Sequence, residues 1–508
     1  MKNILKRLIL FVLSVSCILS CFSGCSTDNV VVVNGKGAEI FGIVGSDEDI
    51  KRYKVSNKEE QVPFSTVKWG KNLDSVMPIC GYIGPADNVV VDGYKLPSTV
   101  TDEVYKKIAD CGINLITDQN VVYEKDREGT IKKLELAEKY GINYFVKSTT
   151  AFKLEFYIDQ AIVGSVDEMK TVLEELSQYD SFAGLFGRDE PKTDMFDVMK
   201  KGFKNFYAAK EQLGDEYDYL QFYFNLFPTA SATELSNGLN LSLTWDEYIE
   251  KYLKLEADGI EQSQNSESIT PSWFSFDMYP FIGGEGGVSG TWFNHLETMN
   301  QKSKKYGVAW QGCVQAGYYG AFLDGQRDPT EGDMHWDVNT MIAFGAKGID
   351  YYPLVMPLEC LSKADKEEDV GKDALITKYG NTTKYYYYAQ KINKQLHACE
   401  KVLMNAAQVG VMLNGNSPCK LTKASALQSF RQLKSVSGDD ALVGCFDYKG
   451  GTALYIVNNS VTKAGKITLN FDGKYGYDVV QRGNVYSLVD NSFSLNLQAG
   501  EGALVVLR

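Results

Sequence analysis

Histidine is scarce in this chain, with only His295, His335 and His397 among 508 residues. None of them stands in a paired ligand spacing such as HExxH, so a zinc hydrolase of that kind is excluded, and no cofactor is implied. The cysteines never form a CxxC pair. Three of the ten, Cys17, Cys21 and Cys25, crowd near the start, and the other seven are scattered and odd in number, so no disulfide framework is legible. No glycine-rich phosphate loop follows the first regular strand, and no GxSxG elbow occurs. Positive charge is also short: the formal net charge is −13. Nucleic acid and anionic membrane surfaces are therefore poor partners. Past the first two dozen residues there is no apolar run long enough to span a bilayer.

The apolar run that does exist is at the N-terminus. Lys2, Lys6 and Arg7 precede the stretch Leu8 to Leu19, the pattern of an export signal. It ends in Phe22-Ser-Gly-Cys25, which resembles a bacterial lipoprotein lipobox; Ile18-Leu-Ser-Cys21 is a second match. The resemblance implies a signal peptide over residues 1–24, a lipid carried on Cys25, and an extracytoplasmic protein anchored to the membrane at a bacterial cell surface. Loss of the leader removes three positive charges and leaves the chain at −16.

Residues 25–70 read as a tether that includes a β-like run, Val30 to Val33. From there to residue 404 the pattern is regular. Strands are expected at 76–83, 113–116, 142–146, 182–186, 219–224, 273–276, 308–314 and 348–352. Helices alternate with them at 101–111, 130–140, 166–179, 195–213, 245–256, 292–306, 333–344 and 382–403. Eight strand–helix repeats imply right-handed parallel crossovers and fit a closed (β/α)8 TIM barrel. Residues 405–508 lose helical periodicity and show short strands separated by Asn, Asp and Gly, the pattern of an all-β sandwich. No flexible linker intervenes, so the two parts are expected to pack together.

In such barrels the carboxyl ends of the strands carry the chemistry. Reading them off gives a polar ring: Asp118 and Asn120, Lys147, Asp189 and Glu190, Asn225, Asp277 and Tyr279, Gln315, Tyr351 and Tyr352. Carboxylates, amides and tyrosines around one cavity suit a polyhydroxyl ligand. Cleavage of a glycoside needs one acid to protonate the leaving oxygen and a second group at the anomeric carbon. The adjacent pair Asp189-Glu190 has a competing explanation, as a cap for the next helix. The tryptophans, all between Trp69 and Trp336, suit core packing or sugar platforms, with Trp310 the platform candidate.

Three segments resemble TIM-barrel glycoside hydrolases of the β-galactosidase clan. Phe182-Ala-Gly-Leu-Phe-Gly-Arg-Asp-Glu-Pro191 is similar to their fourth strand, Ser275-Phe-Asp-Met-Tyr-Pro280 to their sixth, and Ala343-Phe-Gly-Ala-Lys-Gly-Ile-Asp-Tyr-Tyr352 to their eighth. The tail resembles the β-domain that follows such barrels. The resemblance implies a glycosidase acting on a carbohydrate substrate, with Glu190 as general acid, assisted by Asp189 and Asp277. Asn120, Lys147, Asn225, Tyr279, Trp310, Gln315 and Tyr351 would then bind the sugar. One departure stands out. That clan has a nucleophilic glutamate on strand seven, whereas Trp310-Gln-Gly-Cys-Val-Gln-Ala316 offers only Gln311 and Gln315. Asp277, Glu331 or Glu285 could supply the second carboxylate. A substrate acetamido group could replace it, oriented by Asp189. Otherwise the barrel is a glycan-binding lipoprotein without catalysis.

Overall fold

The computed structural model describes residues 31–33, 67–71, 73, 75–91, 94–151, 163–227, 243–255, 270–317, 325–355, 374–421 and 426–508. Cys17, Cys21, Cys25 and Cys360 lie outside these residues. The remaining six cysteines are free and buried.

The strands, in chain order, are β1 Val31–Val33, β2 Ile79–Tyr82, a small hairpin of β3 Val90–Val91 and β4 Tyr94–Lys95, β5 Leu115–Val122, β6 Asn143–Lys147, β7 Phe182–Asp189, β8 Gln221–Leu226, β9 Trp273–Phe276, β10 Ala309–Gln315 and β11 Gly348–Tyr352. Strands β2 and β5 to β11 pair in parallel and close on themselves, β11 against β2, into the expected eight-stranded barrel. The helices that follow the barrel strands are α1 Asp102–Asp110, α2 Arg127–Lys139, α3 Val166–Leu176, α4 Phe196–Leu213, α5 Trp245–Lys254, α6 Trp292–Tyr306, α7 Glu331–Ala343 and α8 Lys384–Leu403. Local chemistry sets their starts. Ser165 with Glu168, Thr244 with Glu247 and Thr330 with Asp333 form reciprocal capping boxes at α3, α5 and α7. Thr101 caps α1 through its hydroxyl.

Strand alternation divides the barrel core in two. Phe222, Phe224 and Phe276 point outward and pack on helix residues such as Phe203, Phe206, Trp245 and Trp292. Tyr82, Phe145, Phe186, Tyr223 and Trp273 point inward and fill the lumen as a packed aromatic column, with ring centroids 5.2–6.1 Å apart. The barrel is a plugged cylinder with a polar rim.

The C-terminal strands are β12 Ala406–Asn414, β13 Leu433–Gly438, β14 Ala441–Tyr448, β15 Gly451–Asn458, β16 Gly465–Gln481, β17 Asn484–Leu497 and β18 Gly502–Leu507. The sandwich is one antiparallel sheet folded over. The first half of β16 pairs with β13 and the second half with β18, while β17 follows β16 along both halves. The register breaks between Asn470 and Tyr475, and there the long hairpin bends. The Asp and Gly residues at 472–473 read as a turn in the sequence but mark this bend inside a single strand. β13 was not anticipated. Strand β1 adds to the free edge of β17, with Val32 opposite Tyr486, so the expected tether contributes a strand.

The sandwich is fastened to α7 and α8. Trp336 donates to Asn459 (2.9 Å), Tyr455 to Asn339 (2.7 Å), Asn339 to the Gly500 carbonyl (2.9 Å) and Gln395 to the Val480 carbonyl (3.0 Å). Gly444 lies against the backbone of Ala343 with no room for a Cβ. These contacts account for the missing linker.

Candidate active site

The carboxyl end of β7 is irregular. Phe186 lies opposite Tyr223 of β8, but the next pairing is Asp189 with Asn225, so β7 carries one residue more than its neighbour. This bulge absorbs Gly187 and Arg188 and turns Asp189 toward Asn225. Glu190 follows with φ +47°, a left-handed backbone uncommon for a side chain of its size, and its N–H donates to the Asn225 carbonyl (2.9 Å). Strain of this kind concentrates at functional sites. The helix-cap explanation fails, since α4 begins at Phe196 after a short 3-10 turn and neither acid caps it.

Asn225 ties two strand ends together. Its Nδ2 donates to Asp189 Oδ1 (3.1 Å) and to Asp277 Oδ1 (3.3 Å). The other end of the amide is fixed from below: Oδ1 accepts from the Ser275 hydroxyl (2.8 Å) and, more weakly, the Cys313 thiol (3.8 Å). Three carboxyls, Asp189, Glu190 and Asp277, thus share one small region. Burial, reinforced by Glu190 and then Asp189, holds the Asp277 carboxyl well above the usual carboxylate range. This proton affinity belongs to the group of carboxyls rather than to one residue.

Below the acids a buried polar column runs into the lumen. Ser275 meets the Tyr223 hydroxyl (2.8 Å), which accepts from Gln311 Nε2 (2.9 Å) and donates to Asp350 Oδ2 (3.4 Å). Asp350 is fully buried, and desolvation pushes its carboxyl up to about 8. Beside the acids, Tyr82, Tyr352 and Tyr279 form an aromatic wall, with successive centroids 5.9 Å apart and the last two rings stacked at 25°. The Tyr82 hydroxyl is buried without a partner among the described residues.

The remaining expected residues divide. Lys147 reaches the rim, where its ammonium donates to the Gln119 carbonyl (3.1 Å). Asn120 lies in β5, but its side chain is outside the described residues. Asp118 is a buried strut rather than a rim acid, bound by Lys133 (2.5 Å) and Tyr144 (2.7 Å). Gln315 is fully buried, and its Nε2 is committed to the Gly317 and Arg327 carbonyls (3.3 and 3.0 Å). Two expectations need correction. Tyr351 points away from the lumen and donates to Asn393 of α8 (2.8 Å); Tyr352, the next residue, faces the site. Trp310 points outward against Phe276 in the strand–helix layer and is no sugar platform. Of the reserve acids, Glu331 sits in the first turn of α7 paired with Lys391 (2.7 Å), and Glu285 is exposed on a loop. Tyr82, Arg188, Ser275, Tyr223 and Asp350 were not anticipated as site residues. Alternation along the strands would have found Ser275, Tyr223 and Asp350, which share a face with Asp277, Asn225 and Tyr352.

No protein-family model matches the sequence, and no curated protein matches it either. Solved structures do share the architecture. A family 42 β-galactosidase from G. stearothermophilus is similar with a TM-score of 0.52 and 7% identity, over 88% of this chain and 100% of that one. A family 5 glycoside hydrolase from Bacteroides vulgatus gives 0.44 and 9%, over 89% and 95%. A family 39 glycoside hydrolase from Bacteroides cellulosilyticus gives 0.44 and 11%, over 86% and 82%. At 7% identity the likeness to the family 42 enzyme is one of fold.

Proposed function

We propose that the chain hydrolyses O-glycosidic bonds in extracellular oligo- or polysaccharides. The observation that carries this reading is the convergence of Asp189, Glu190 and Asp277 around Asn225 at the carboxyl end of the barrel. A carboxyl that keeps its proton beside carboxyls that can release theirs is the equipment acetal cleavage requires. In the resting site the three carboxyls hold a proton in common. Glu190, on its strained backbone, is the member through which the proton reaches the leaving oxygen as the bond from that oxygen to the anomeric carbon breaks. Asp189, held by Asn225, faces the positive charge that grows on the sugar ring. Water then bonds to the anomeric carbon and returns a proton to the acid group. The tyrosine wall offers flat apolar faces to the ring.

The test uses E190Q and D277N on glycosides with poor and good leaving groups. Both substitutions should lower turnover of an alkyl-linked glycan by about 10²–10⁴-fold. E190Q should recover on a dinitrophenyl glycoside, whose leaving group needs no proton. Unchanged turnover of the natural linkage in E190Q would sink the assignment.

A second reading, a glycan-binding lipoprotein without catalysis, is favoured by one observation. The end of β10, where the resembled clan has its nucleophile, presents Gln315 with its amide hydrogens bound to backbone carbonyls. A glycan panel separates the two: retention without release of reducing sugar supports capture. We also propose an extracytoplasmic location through a lipid on Cys25. Fatty-acid labelling of expressing cells should be lost in C25A; persistence of the label would overturn it.

A further inference from the structure

Two cations stand at the rim beside the acid group. Lys147 ends β6, and Arg188 lies in the β7 bulge two residues beyond Phe186, the partner of Lys147 across the strand pair. Both are half-buried. They are close enough that the Arg188 charge, after burial, holds the Lys147 ammonium below its usual range. Burial likewise lowers Arg188. Like charges brought together out of water are costly unless something negative joins them.

The acids nearby offset this only in part: Asp118 and Asp189 raise Lys147, and Asp189, Asp194 and Glu190 raise Arg188, yet burial outweighs them at both. Among the described residues neither cation forms an ion pair, and the Nε of Arg188 is buried with no acceptor at all. Lys147 uses one hydrogen, on the Gln119 carbonyl. Asp118 is held by Lys133 and Tyr144, and Asp189 by Asn225. Asp194 has one buried oxygen without a partner among the described residues, and burial holds its carboxyl above the usual range. The acids lie near Arg188 without closing on it. A half-buried guanidinium beside an ammonium matches a planar carboxylate or a sulfate ester.

We propose that Lys147 and Arg188 form a subsite for an acidic group on the sugar, a uronic carboxylate or a sulfate ester, next to the Asp189–Glu190–Asp277 group. This rests on the reading that the site takes a glycan, and it narrows the substrate to acidic saccharides. The anion would meet the accessible edge of the Arg188 guanidinium and the Lys147 ammonium. It would also relieve the repulsion between the two cations.

The purified full chain, kept in mild detergent, is applied to an array of matched oligosaccharides: uronates, their neutral hexose counterparts, and sulfated and unsulfated pairs. Acidic members should be retained at least tenfold better than their neutral partners, and the advantage should shrink as salt rises. R188Q and K147Q should each reduce the acidic-to-neutral ratio about tenfold, with R188K restoring part of it. Equal retention of acidic and neutral partners, no retention of any acidic glycan, or an unchanged ratio in both variants overturns the proposal. Cleavage of neutral glycans without acidic preference defeats the subsite but leaves the hydrolase reading. Retention of acidic glycans without cleavage defeats the hydrolase and leaves the subsite.

Discussion

Replacing Asp350 with asparagine should reveal how strongly the barrel lumen resists charge. Asp350 is fully buried, with Oδ2 on the Tyr223 hydroxyl and the Cys80 thiol beside the carboxyl. Its carboxyl rises from the usual 3.8 to about 8, chiefly through burial, with a contribution from Asp189. The folded state thus holds a proton that the unfolded chain has released. The stability this contributes is complete below the unfolded value near 4 and is lost progressively as pH climbs to about 8. At about 1.4 kcal/mol per pH unit, a span of roughly four units sets a ceiling near 6 kcal/mol. Relaxation and water entry around the ion should bring the observed loss to about 3–6 kcal/mol. D350N does not titrate. Its stability relative to the parent should therefore improve steadily between pH 4 and 8 and level off above. Urea unfolding followed by tryptophan fluorescence suits the question, because every tryptophan lies between Trp69 and Trp336 and reports the barrel. Titrations common to both proteins cancel in the difference. A gap between the two curves that stays constant from pH 4.5 to 9 would refute the account.

Three further outcomes can be checked. Y351F should cost about 1–2 kcal/mol by stranding the buried Asn393 oxygen, seen as a lower urea midpoint, while Y352A should weaken glycan retention by opening the tyrosine stack. S275A removes the hydroxyl that orients the Asn225 amide; kcat on a responsive glycoside should fall by about 10-fold or more, and S275T should restore most of it. Deleting residues 25–36 strips β1 from the β17 edge around Val485 to Ser487; light scattering should then show concentration-dependent association absent from the longer chain.

The architecture was legible because its signals are local. Barrel strands and helices follow from apolar periodicity punctuated by residues such as Thr101, Gly141 and Gly307, and each helix start falls within three residues of the expected position. The sandwich was harder for two physical reasons. In β13, Leu433 is the single fully buried residue, so the segment carries almost no hydrophobic pattern. In β16 and β17, polar residues at 472–473 and 490–491 look like turns, yet the hairpin only bends there. A bend and a turn draw on the same residue types, and the difference depends on long-range pairing that local composition does not encode.

The site shows what strand ends alone leave out. Side chains alternate, so of two neighbours at a strand end one faces the lumen and the other the helices. Tyr351 and Tyr352 differ in this and in little else; so do Trp310 and Gln311, one packed on Phe276 and the other bonded to Tyr223. Strict alternation would nonetheless have misled at β7. Counting by twos from Phe186 selects Arg188 and rejects Asp189, yet the inserted residue places Asp189 opposite Asn225. The same bulge leaves Arg188 beside Lys147. One extra residue therefore does two things at once. It brings Asp189 to the amide that also holds Asp277, and it leaves a half-buried cation at their flank. Shortening the bulge should disturb both together, which ties the chemistry of the acids and the choice of an acidic sugar to a single backbone irregularity.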